Sequence, residues 1–149
     1  SVYGLNREFT EESPLDPRTP YAWSKYLFER HVRKHSSGSI VQGFRYFNVY
    51  GSGEGHKGGQ ASPQTQFTKQ AKDTGKIKVF HNSDKYHRDF IPVESVIQYH
   101  LKFLECKASG VFNIGTGETK SFLDVASDIA SNSETSLHLP PRSNSRPSW

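Results

Sequence analysis

The chain has 149 residues, 33% of them hydrophobic and 13% aromatic, a net charge of +4 and a single cysteine. That is enough apolar material for one domain; it excludes an internal disulfide and fits a reducing, cytoplasmic setting. No apolar run reaches the length of a membrane span, no signal peptide is visible, and the basic residues are dispersed, so a solvated helix face or a small anion such as a diphosphate explains the charge better than a membrane or nucleic acid does.

The chain opens on Ser-Val-Tyr-Gly and contains no methionine, and is read as a piece of a longer protein. Pro20 suits the first turn of a helix that runs through "YAWSKYLFERHVRKH" without Gly or Pro until "SSGS" ends it. "SIVQGFRYF" (39–47), rich in β-branched and aromatic residues, reads as a strand, and "NVYGSGEGHKGGQASP" after it as a glycine-dense loop of the kind that carries function. "QTQFTKQAKDTG" predicts a helix ending at Gly75, "KIKVFH" a short strand and "RDFIPV" another extended segment. "ESVIQYHLKFLE" is an amphipathic helix with Ile97, Leu101 and Leu104 on one face, and "GVFNIGTG" a buried-type strand entering a turn. In "SFLDVASDIAS", Ser121 and Asp124 have capping-box spacing, and Phe122, Val125 and Ile129 form the inner face. Strands alternating with helices predict an α/β protein with a mainly parallel sheet.

The first chemistry lies in "PYAWSK". Residues four apart on a helix share a face, so Tyr21 and Lys25 touch the same ligand if the segment is helical. A nearby ammonium favours the phenolate and makes a tyrosine usable as an acid and base near neutral pH. The bare spacing also describes a tyrosine packed beside a solvated lysine. His31 and His35 share a helix face too, but with no third ligand nearby no metal site is expected.

Taken in order, "FTEESPLDPRT", "PYAWSK", "GFRYFNVYG", "HRDFIPVESV" and "GVFNIGTG" resemble the extended short-chain dehydrogenases that modify nucleotide sugars, with a doubly wound, Rossmann-like parallel sheet and a smaller C-terminal substrate-binding portion. The loop "EGHKGGQAS" is similar to the signature of the ADP-L-glycero-D-manno-heptose 6-epimerases within that superfamily. The resemblance implies transient oxidation at the sixth carbon of the heptose with bound NADP, or alternatively NAD, and two acid/base groups on opposite sides of that carbon. Tyr21 and Lys57 match the two groups, with Lys25 supporting Tyr21. Tyr21, Lys25, Val49 and Lys57 match the cofactor contacts; Asn48, Gln66, the stretch Phe80, His81, Asn82, Ser83 and the diphosphate-binding Arg88 match the substrate contacts. It further implies an ADP-sugar substrate, a homo-oligomer when full length, and a place in lipopolysaccharide core synthesis.

The chain departs from the pattern in places. The dinucleotide glycine fingerprint and the superfamily's catalytic serine have no counterpart, Gln66 stands where a substrate histidine is usual, and likeness is lost within "SLHLPPRSNSRPSW". The expected organisation is therefore residues 1–50 as the end of the Rossmann-like domain, 51–130 as a mixed substrate-binding portion with returning α/β elements, and 131–149 as an atypical, disordered tail. Another nucleotide-sugar epimerase or dehydratase, or a non-catalytic nucleotide-sugar-binding remnant, is the alternative.

Overall fold

The computed structural model describes residues 1–5, 8–35, 38–133 and 135–139; most of the expected tail, residues 134 and 140–149, lies outside them. Contacts divide the chain into two compact units, residues 1–46 with 99–114, and 47–98 with 115–149.

In the first unit, helix α1 (Pro20–His35) precedes strand β1 (Gln42–Tyr46), which pairs in parallel with β6 (Gly110–Ile114), Phe44 opposite Phe112. The Thr19 hydroxyl accepts the Ala22 amide at 3.1 Å and so closes the open first turn of α1. Ala22 is buried in the helix that Pro20 begins. A polar network ties α1 to both strands. Arg45 of β1 donates to both carboxylate oxygens of Glu29 at 2.9 and 2.7 Å and to the Tyr3 hydroxyl at 2.8 Å, and Tyr3 in turn donates to Asn113 of β6 at 2.6 Å. Burial opposes the Arg45 charge, but the hydrogen bonds and charge of Glu29, with Tyr3, outweigh it and raise its pKa above the ordinary arginine value.

The part of helix α3 (Val93–Glu105) that belongs to this unit, from Tyr99 on, packs differently from the sequence pattern. Phe103 packs edge-on against Phe44 at 4.9 Å and near Phe112 at 4.7 Å, and His100 lies 4.8 Å from Phe44. The aliphatic stripe of Ile97, Leu101 and Leu104 is exposed instead. Rings bury more surface per residue and prefer these tilted arrangements, so the aromatic face takes the strand contact.

In the second unit, β2 (Asn48–Tyr50) pairs in parallel with β5 (Phe90–Pro92), and β3 (Lys76–Lys78) with β8 (Ser136–His138). β4 (His87–Arg88) and β7 (Lys120–Ser121) form an antiparallel pair. Sequence pattern alone leaves Asn48–Tyr50 in the loop. They become a strand because Phe90–Pro92, far along the chain, supplies the partner. Gly51 follows at φ 152, where a β-carbon would stand 2.4 Å from a Val93 methyl, so only glycine lets the chain leave β2 this closely.

Helix α2 (Pro63–Thr74) has Ser62 as N-cap, Pro63 in its first turn and Gly75 at φ 64 as C-cap, the ending that the glycine predicts. Helix α4 (Phe122–Asn132) starts on the expected capping box, with reciprocal bonds between Ser121 and Asp124 at 2.9 and 3.0 Å. The bonds from Ser121 lower the Asp124 carboxyl pKa. Phe67, Ala71, Ile77, Val79, Phe90, Val125, Ala126 and Ala130 form the core, with Phe122 and Ile129 packed against it. The fold is α/β, with three of the four strand pairs parallel among the described residues.

Candidate functional site

Tyr21 and Lys25 lie on α1 in the first unit, and the other expected site residues in the second. The helix places the lysine ammonium 5.2 Å from the centre of the tyrosine ring, the contact that four-residue spacing predicts. Tyr21 is 64% exposed, so its hydroxyl is open to a ligand. Its backbone is held locally, the Ser24 hydroxyl donating to the Tyr21 carbonyl at 2.8 Å.

Asn48 and Val49 sit on β2, half-buried, opposite Phe90 and Ile91. The Asn48 amide donates to the Asp89 carbonyl at 3.0 Å, which leaves the asparagine side chain unconstrained by that bond. Asp89 itself is buried: its carboxylate accepts the Thr116 and Gly117 amides and the Thr116 hydroxyl at 2.8 to 2.9 Å. The acid beside Arg88 thus holds the turn after β6 rather than the arginine.

Lys57 occupies a 3-10 turn, Glu54–Gln60, kinked at Gly58. Its ammonium meets Glu54 at 3.0 Å; the lysine side chain is 45% exposed and the glutamate 8%. Glu54 also receives the Thr65 hydroxyl at 2.7 Å, the Ser62 hydroxyl and the Ser62 amide at 3.3 Å. Burial alone would raise the Glu54 carboxyl, but the bonds from Ser62, Thr65 and Lys57 outweigh it and bring it down to about 2. Sequence reasoning named Lys57 and missed Glu54. The available signal was an acid three residues before the lysine in a glycine-rich loop. At the far end of the turn the Gln66 amide donates to the carbonyls of Gly59 at 3.0 Å and Ala61 at 2.6 Å.

The stretch Phe80, His81, Asn82, Ser83 follows β3. Phe80 packs edge-on against Phe122 at 5.2 Å, Asn82 takes a left-handed conformation at φ 61, and Ser83 is buried, its carbonyl accepting the Leu123 amide at 3.3 Å. Asparagine is among the few side chains that tolerate that conformation. Arg88 is exposed on β4, its guanidinium donating to the His87 carbonyl at 2.7 Å, and its direct cross-strand partner is Lys120. Lys120 is bonded to Asp128 at 2.7 Å, which raises its pKa.

His31 and His35 stack at 4.2 Å on α1. Among the described residues no group of three or more His, Cys, Asp or Glu is gathered for a metal ion, and no helix is long and apolar enough to cross a membrane.

The ADP-L-glycero-D-manno-heptose-6-epimerase of Thiobacillus denitrificans is 44% identical over 138 residues, 85% of this chain and 41% of the relative. The enzyme of the same name from Helicobacter pylori, a crystal structure, matches with a TM-score of 0.85 at 29% identity over 93% of this chain and 45% of that one. UDP-glucose 4-epimerase from Thermus thermophilus, solved in complex with NAD, gives a TM-score of 0.77 at 26% identity over 95% and 48%. The chain therefore spans less than half the length of these relatives. A family model matches residues 1–115, a stretch that includes α1 with Tyr21 and Lys25, the Lys57 turn and Arg88; the chain belongs to the NAD dependent epimerase/dehydratase family.

Proposed function

We propose that the chain carries the acid/base and substrate-contact residues of a nucleotide-sugar epimerase that converts ADP-D-glycero-D-manno-heptose to its L-glycero epimer, with NADP as cofactor. The observation that carries the reading is Lys57: in a glycine-rich loop that would leave a lysine free in solvent, its ammonium is bonded to a buried carboxylate. Beside that stands the likeness to relatives of that name.

The donor set on α1 fits a nicotinamide ribose, because the Tyr21 hydroxyl and the Lys25 ammonium share one exposed helix face. When bound, the cofactor supplies the hydride acceptor and donor. Tyr21 and Lys57 are, in this reading, the two acid/base groups that take and return the proton of the sixth-carbon hydroxyl. Lys25 binds the ribose and lies beside the Tyr21 ring. Val49 contacts the cofactor, and Asn48, Gln66 and the stretch 80–83 contact the ADP-sugar.

Arg88 takes the diphosphate. Its exposed guanidinium presents a fork of donors that matches phosphate oxygens bidentately. In this reading residues 1–50 complete a Rossmann-like domain and 51–130 the substrate side, and the enzyme works as a cytoplasmic homo-oligomer in lipopolysaccharide core synthesis.

The test is turnover. Joined to the nucleotide-binding portion that the family resemblance implies, the chain should interconvert the two ADP-heptose epimers with NADP, followed by NMR of the sixth-carbon proton, and the 149-residue chain alone should not. Turnover by the chain alone, or a joined protein that prefers UDP-sugars, would overturn the reading.

A further inference from the structure

We infer that Glu54 is a positioning residue for Lys57: its carboxylate, anchored on the N-terminus of α2, holds the lysine ammonium at a fixed place in the 54–60 turn. The inference rests on the reading of Lys57 as an acid/base group.

The two carboxylate oxygens divide the work. One takes the Thr65 hydroxyl at 2.7 Å together with the Ser62 hydroxyl, so it is committed to the start of α2. The other takes the Lys57 ammonium at 3.0 Å and the Ser62 amide at 3.3 Å. Ser62 and Thr65 are bonded to each other as cap and third residue of the helix, which fixes the frame to which the carboxylate is tied.

The arrangement is asymmetric. Glu54 is buried and already satisfied by two hydroxyls and an amide, so it does not need the lysine for its own solvation. Lys57, close to half-exposed on a flexible four-carbon stem, gains from the glutamate a defined position that a glycine-rich loop would otherwise deny it. Acid/base catalysis is sensitive to displacements of about 1 Å, so the anchoring of such a group is part of its chemistry.

Glu54→Gln keeps the shape and the polar partners of the anchor, since hydroxyls accept as readily as they donate, and removes only the charge that holds Lys57. In the 149-residue chain, the rate of reductive methylation of the Lys57 amine, read by mass spectrometry against the exposed Lys69 and Lys72 in the same molecule, should rise roughly three- to tenfold while the other two stay constant. No change at Lys57, or an equal change at all three, would overturn the inference. Glu54→Asp, which keeps the charge but is one methylene short of spanning Thr65 and Lys57, should give a smaller rise; a rise as large as that of Glu54→Gln would also overturn it.

In the joined enzyme Glu54→Gln should lower kcat about tenfold with KM nearly unchanged, and add nothing in a Lys57→Ala background. Equal losses in both backgrounds would reduce Glu54 to a structural residue. Full turnover in Lys57→Ala itself would defeat the reading of the reaction, and the methylation ratio would still decide the ion pair.

Discussion

Helix α1 and the 54–60 turn hold their chemical groups by opposite means. Tyr21 projects from a regular helix, 64% exposed, and its position comes from helix geometry and from an Arg45–Glu29 pair about two turns further along α1. Lys57 sits on a kinked turn with little regular structure, and its position comes from side-chain bonds centred on one buried acid. A helix supplies precision through its backbone and tolerates an open side chain, whereas a loop must assemble precision from polar contacts. Variants should therefore separate chemistry from stability on α1 and mix them in the turn.

The largest effect should be on turnover of the joined enzyme. Tyr21→Phe and Lys57→Ala should each lower kcat by a factor of about a hundred to ten thousand, the usual contribution of a general acid or base. Their stabilities should differ. Tyr21→Phe removes one exposed hydroxyl and should leave the urea midpoint of the chain unchanged, while Lys57→Ala should lower it slightly by taking a donor from Glu54. An undiminished kcat in either variant would remove that residue from the mechanism.

The parts legible in the sequence were those with local causes. Pro20 starts α1, Gly75 ends α2, and Ser121 with Asp124 opens α4, because caps are satisfied within a single turn, although the Ser62 cap of α2 reads as loop. The meeting of Tyr21 and Lys25 follows from the same periodicity. What stayed hidden depends on distant partners. Asn48–Tyr50 reads as loop until Phe90–Pro92 pairs with it, and the choice of Phe103 over the Leu101 and Leu104 stripe was made by Phe44 and Phe112. Glu54 is inconspicuous among glycines because the hydroxyls of Ser62 and Thr65 that define it return to it only through the fold of the loop.

A middle-sized effect tests how α1 is held. Arg45 is 9% and Glu29 15% exposed, and their paired bonds are the kind whose rupture strands a charge. Arg45→Met should cost about 3 kcal/mol in urea unfolding, the exposed Arg33 at 3.0 Å from Glu29 absorbing part of the loss. Arg18→Met, which breaks an exposed pair with Asp16, should cost less than about 1 kcal/mol. Equal costs would mean that the buried pair is not what anchors the helix.

The smallest effect compares the two helix caps. Thr19 bonds one amide of α1, at 3.1 Å, so Thr19→Ala should cost about 1 kcal/mol, the ordinary value of an N-cap, and Thr19→Ser should restore most of it. Ser62 caps α2 through the Thr65 amide, but its hydroxyl and amide also serve Glu54. Ser62→Ala removes the cap and one donor to a buried carboxylate together, and should cost more than its counterpart by about 1 kcal/mol. The excess depends on the carboxylate, so it should vanish in a Glu54→Gln background while the Thr19→Ala cost stays the same there. An excess that survives the loss of the charge would assign it to the helix end alone, and the turn would then be held no differently from α1.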